Sequence, residues 1–277
     1  MNKHEMKVNE SSELSPLRTC HRLDKPYKLI HMKQDDQTSK ARFATVYGTP
    51  GESPRTLGPL LVFWPLAPIC IAAGWLLHAA LPYPNLSTTQ AGILFIVLAL
   101  ILAAFTVWSA KRLRSFIKGA EGEETVARSL SFLPATHTIF NDLQLDDGGP
   151  AFDHIVVAPS GLFVIETKNW SGEITFENGQ VFCNGEAPNR PPLKQVKEAT
   201  AALIDHLATA QCPETPVHPV LCFVNNTPKG GSTNIGGVRI CTDSDLHELF
   251  QNTLETPLPG GTLAILTTEL KRCIEEK

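Results

Sequence analysis

Two stretches of the chain, Pro59–Leu81 and Ala91–Trp108, contain no Asp, Glu, Lys or Arg. Each is about the ~20 residues that a helix needs to cross a ~30 Å hydrocarbon layer. Both are apolar all round, so a water-soluble fold would have to bury every face of both. The expectation is therefore a transmembrane hairpin, with the uncharged connector 82–90 (PYPNLSTTQ) outside the membrane. Pro65 and Pro68 should kink the first helix, which membrane helices tolerate. Trp64, Trp75, Tyr83 and Trp108 lie towards the run ends, where amphipathic rings favour the interface. Arg55 precedes the first run, and Lys111, Arg112, Arg114 and Lys118 follow the second. The positive-inside rule then places both termini in the cytoplasm of a cell whose inner (cytoplasmic) membrane holds the hairpin.

The flanks differ in charge. Residues 1–58 carry 10 Lys+Arg against 7 Asp+Glu, whereas 111–277 carry 14 against 21. The first segment has few aromatics and no sustained period, and reads as a largely disordered cytoplasmic tail. It is no secretory signal, because the first apolar run comes too late. The net −7 of the second segment excludes broad electrostatic attraction to nucleic acid, so any such contact must be local or assisted by cations. The seven cysteines are scattered, form no CxxC pair and give no zinc-ligand spacing with histidine, as expected of reduced, mostly buried thiols.

Within 111–277 the periods switch from 3.6 to 2 and back. Ala120–Leu133 predicts a helix with Val126, Ala127, Leu130 and Leu133 on one face. Thr138–Leu145 predicts a strand ending in Asn141 and Asp142, followed by a turn at 146–150. Asn178-Gly179 marks a short hairpin between 172–176 and 180–183. Pro191 and Pro192 introduce a helix over 193–210 with Val196, Ala199, Leu203 and Leu207 inward. Pro219–Val224 and Gly237–Cys241 predict strands, and Asp243–Phe250 a helix. The sum is a mixed sheet flanked by helices, an α/β class.

Its centre is Asp153–Trp170, DHIVVAPSGLFVIETKNW: two apolar runs joined by Pro159-Ser160-Gly161, the pattern of a tight hairpin. Glu166 and Lys168, two apart on one strand, project to the same face, and the hairpin brings Asp153 towards them. An isolated Glu-x-Lys at a strand end is ordinarily a surface ion pair. Joined by Asp153, and by Glu123 from the upstream helix, it becomes a set of hard oxygen donors with one cation, suited to Mg²⁺ or Mn²⁺ and an activated water. His154 is expected to pack or hydrogen-bond at the strand start, Asn141 and Asp142 to sit at a turn or rim, and Trp170 to cover the sheet edge.

Gly119-x-x-Gly122-Glu123, Phe152-Asp153-His154-Ile155, the run Gly161–Asn169 (GLFVIETKN), Gly172 and Pro192-x-x-Gln195 together resemble the nuclease-related domain (NERD) family. That family is similar to the PD-(D/E)XK, restriction-endonuclease-like superfamily, and the likeness covers roughly 118–225. Phe152 stands where the superfamily's name has proline. The resemblance implies a restriction-endonuclease-like sheet and a metal-dependent endonuclease. Asp153, Glu166 and Glu123 would be metal ligands, Lys168 the catalytic lysine, and Gln195 a hydrogen-bonding group at the rim. It implies a nucleic-acid partner, DNA before RNA. Two other readings are carried forward: a non-catalytic module binding nucleic acid or protein at the membrane, and a scaffold whose helices form homo-oligomers through Ala67, Ala72, Ala73 and Gly74.

Overall fold

The structure, a computed structural model, describes residues 43–64, 66–80, 87–145, 149–251 and 257–275. The tail up to residue 42, most of the 82–90 connector and the turn at 146–148 lie outside them. The described chain runs β1 (Thr45–Tyr47), α1 (Glu52–Phe63), α2 (Leu66–Ala80), α3 (Thr88–Ser131), β2 (Thr138–Gln144), β3 (Ala151–Ala158) and β4 (Gly161–Lys168). It continues through β5 (Ile174–Glu177), β6 (Gln180–Cys183), α4 (Pro192–Thr209), β7 (Val217–Phe223), β8 (Thr233–Ile235), β9 (Val238–Thr242), α5 (Leu246–Gln251) and α6 (Gly260–Glu275).

Seven strands form one mixed sheet in the order β1-β2-β3-β4-β7-β9-β8; β5 and β6 pair separately around Asn178-Gly179. The β3–β4 hairpin is antiparallel, and β7 and β9 then add in parallel to β4. Strand alternation explains the layers. Ile155, Val157, Leu162 and Val164 face a core shared with Leu193, Val196, Leu203 and Leu207 of α4 and Leu266 and Leu270 of α6. Val156, Ala158, Phe163 and Ile165 face the opposite core, with Val126 and Leu130 of α3 and Leu246 and Leu249 of α5. The central strands are therefore apolar on both faces, as a sheet covered on both sides requires. The expected mixed sheet between helices is present; β1, β8 and α6 are additions to the sequence reading.

Two expectations change. Of the stretch 1–58, read as a largely disordered tail, the described part is ordered: β1 pairs in parallel with β2, and α1 begins at Glu52. Gly48 makes this possible, since it has φ +77° and a Cβ there would stand 2.1 Å from the Asn141 carbonyl oxygen. The helix predicted over 120–133 is also not separate from the second apolar run. Both belong to α3, 44 residues and about 66 Å long. Ser87 caps its start with Gln90 in a reciprocal box, and neither Gly119 nor Gly122 ends it.

The first apolar run holds the end of α1, up to Phe63, and the whole of α2, from Leu66. Among the described residues, two helical stretches are by length and composition apolar enough to cross a membrane, Glu52–Trp75 and Ile96–Ser131. Val62 and, from Ala120 onward, the core-facing residues are buried, but many apolar side chains between them are not core: Ile71 is 73% exposed, Trp75 68% and Leu100 64%. Past Trp108 the same α3 helix turns charged, and from Ala120 it enters the domain core.

Candidate active site

The register of the central hairpin sets the geometry. His154 pairs with Ile165, so Asp153 falls opposite Glu166 one step further, with Lys168 two residues on along β4. Asp153, Glu166 and Lys168 share strand parity with Ile155 and Val164, and so lie on the α4 side of the sheet. The Asp153 carboxylate accepts the Thr167 N–H at 2.7 Å, which fixes it across the two strands. Lys168 Nζ meets Glu166 Oε1 at 2.5 Å, both side chains largely buried.

Glu123 arrives from α3. Gly122 lets the helix come close: a Cβ there would stand 2.7 Å from the Asn169 Cβ. Asn169 Nδ2 in turn donates to the Lys118 carbonyl at 2.8 Å, tying the end of β4 to α3. Glu123 Oε2 accepts the Gly51 N–H at 3.0 Å. Asp142, with φ +50° at an irregular point of β2, accepts both the Ser53 N–H at 2.7 Å and the Ser53 hydroxyl at 2.8 Å. The first turn of α1 therefore lies against two carboxylates, where its unpaired N–H groups and dipole favour negative charge. Arg55 adds an ion pair to Glu124.

The electrostatics show crowded negative charge. Burial, then Asp142 and Glu166, lift Glu123 from the ordinary glutamate value to about 7, against the lowering effect of the Gly51 N–H. Burial, then Glu166 and Glu123, raise Asp153 well above the usual carboxylate range. Lys168 shows the reverse balance. Burial works against its charge, but Glu166, Asp153 and Glu123 outweigh it and hold the ammonium above its ordinary value. Lys168 is thus a fixed cation. Three carboxyl groups crowd around that one cation, which is why protons are held so tightly there, and their oxygen-only donor set fits a hard divalent cation such as Mg²⁺ or Mn²⁺. Asp153, Glu166 and Glu123 are the residues that would hold it.

Gln195 stands on the first turn of α4, on the same side of the sheet, with its Oε1 buried and lacking a hydrogen-bond partner among the described residues. His154 lies on the other face, fully buried, with Nδ1 at 2.8 Å from Asn141 Oδ1. Burial pushes it down to about 3, so it is neutral and structural. Asn141 is its buried partner rather than a rim group, and Asp142 caps α1.

Beyond Lys168 the surface opens into a hollow of about 690 Å³ lined by Arg114, Lys118, Asn169, Trp170, Asn225 and Asn226, among others. Trp170 packs edge-on against Phe223 at 5.9 Å while lining this space. The sequence reading missed the contributions of Gly51, Ser53 and Asn169. The available signal was Gly48-Thr49-Pro50-Gly51-Glu52-Ser53-Pro54, a turn followed by a helix start with an acid and a proline in its first turn.

Comparison with curated proteins and with solved structures gave no match. One stretch carries Glu123, Asp153, Glu166, Lys168, Asn169 and Gln195 together, and that stretch, residues 118–224, matches the family model of the nuclease-related domain, NERD.

Proposed function

We infer that this protein is a membrane-anchored, metal-dependent nuclease that hydrolyses phosphodiester bonds, of DNA before RNA. The observation that carries this reading is the convergence of Asp153, Glu166 and Glu123 around a lysine kept charged by them. A divalent cation held by the three carboxylates would supply charge neutralisation and a more acidic bound water.

The chain's own residues account for the rest. Lys168, held in its ammonium form by the neighbouring carboxylates, donates to a non-bridging phosphate oxygen and stabilises the charge that develops as water attacks phosphorus. It is an electrostatic group and not the base. Glu123, reaching the cluster from α3, orients the attacking water beside the ion. Asp153 stays in place through the Thr167 N–H. Arg114 and Lys118 meet the phosphate backbone, and Trp170 offers a face to a base. Because the domain is acidic overall, this local pair of cations sets where a strand can lie.

The apolar parts of α1–α2 and α3 are read as the membrane anchor, because their exposed surface is hydrocarbon and not packing. With Lys111, Arg112 and Arg114 at its cytoplasmic edge, the domain faces the cytoplasm. The full-length chain in detergent tests the activity on single-stranded DNA, duplex DNA and RNA with Mg²⁺, Mn²⁺ or EDTA. Metal-dependent cleavage of DNA is expected. Nucleic-acid binding without cleavage under every metal condition would give the non-catalytic module instead.

A further inference from the structure

We propose that α4 and α6 hold a Zn²⁺ ion between His206, Glu269 and Cys273, at a second site separate from the carboxylate cluster. His206 lies 11 residues along α4 from Gln195, about 16 Å at the helical rise. Glu269 and Cys273 are four apart on α6, so both project from one face towards α4.

The distances suit a tetrahedral ion. His206 Nε2 stands 3.1 Å from Glu269 Oε1 and 3.5 Å from Cys273 Sγ. All three donor atoms lie within 4.8 Å of one another. Zinc bonds of ordinary length at tetrahedral angles separate N from O by about 3.3 Å and N from S by about 3.6 Å. An imidazole, a carboxylate and a thiolate form a borderline-soft donor set, unlike the oxygen-only cluster at Asp153. The His206 and Glu269 side chains are each 14% exposed, so the donors are already largely withdrawn from water.

The surroundings complete the site. Arg272 donates to both Glu269 oxygens, at 2.7 Å to Oε1 and 3.2 Å to Oε2. Arg272 first, helped by His206, holds the Glu269 carboxyl below the usual range, so this ligand is ionised in advance. The Arg272 side chain is 53% exposed. It can yield Oε1 to the ion and keep Oε2, the outer hydrogen bond that ligating carboxylates ordinarily have. A hollow of about 330 Å³, lined by Cys212, Thr268 and Glu269 among others, gives entry to the cluster and room for a water as fourth ligand. Binding releases the Cys273 thiol proton to solvent and changes no oxidation state. Ligands drawn from positions 206, 269 and 273 on two helices carry no short-spacing signature, which is why the cysteine pattern alone gave no zinc site.

Co²⁺ is the probe for the full-length chain, since only a thiolate ligand gives a near-ultraviolet charge-transfer absorption. One equivalent should produce that band in the wild type and in Asp153→Asn, and Zn²⁺ should displace it. Cys273→Ser should abolish the band. His206→Asn should weaken Zn²⁺ at least tenfold, and Arg272→Ala, which removes the competing guanidinium without touching a ligand, should tighten it severalfold. A wild type without the band, a band that survives Cys273→Ser, or Zn²⁺ affinity unmoved by His206→Asn would each overturn the proposal.

Discussion

A lysine held above its ordinary pKa by Glu166 and Asp153, as Lys168 is, makes a poor base near neutrality, so the role proposed for it is electrostatic. Lys168→Ala is expected to lower cleavage by at least about a hundredfold, the scale of one lost charge-stabilising donor, with Mn²⁺ binding preserved in calorimetry. Glu123 supplies a second prediction. Its pKa is raised, so its contribution to stability is full below the ordinary glutamate value of 4.5 and lost as pH rises through about 7; Asp153 acts in the same direction. The metal-free chain should therefore lose melting temperature between pH 5 and pH 8. Added Mg²⁺ should restore more of it at pH 8 than at pH 6, because protons compete with the cation. Asp142→Asn removes a charge that raises Glu123, so the rising limb of the cleavage–pH profile should move to lower pH.

Two elements place these groups, and they differ in how plainly the sequence announces them. The β3–β4 hairpin was legible, because Pro159-Ser160-Gly161 between β-branched runs fixes a register and the register fixes what faces what. The N-terminal part of the site was not. Residues 43–53 look like polar tail by composition, and it is the pairing of β1 with β2 and the tertiary contacts of Gly48, Gly51 and Ser53 with Asn141, Glu123 and Asp142 that hold them. Such long-range contacts leave no local period to read. Ser53→Ala removes a hydroxyl bond to Asp142, an interaction across the α1 start comparable to a helix cap, and should cost about 1 kcal/mol in denaturant unfolding. Gly122→Leu should be more severe for function: a side chain against Asn169 pushes α3 away from the end of β4 and carries Glu123 with it. A cleavage rate reduced at least about tenfold with the secondary structure intact by circular dichroism is the expected result.

Across the whole molecule, α3 joins the apolar stretch to the carboxylate–lysine cluster in one unbroken helix, with Glu123 about 22 Å along the axis from Trp108. Both ends of that helix are legible in the sequence, but the charged residues 111–118 and Gly119 divide them, because a change of composition resembles a domain boundary. On this account the cluster stands at a fixed height above the bilayer, and the Arg114–Lys118–Trp170 hollow opens beside the membrane surface. The central claim is that the Asp153–Glu166–Lys168–Glu123 cluster is a metal-dependent nuclease centre. Its most direct test is DNA cleavage by the purified full-length chain with Mg²⁺ and with EDTA, comparing the wild type with Asp153→Ala and Lys168→Ala. Cleavage by the wild type that requires Mg²⁺ and disappears in both variants is the predicted result; cleavage that persists in EDTA or in either variant would contradict it.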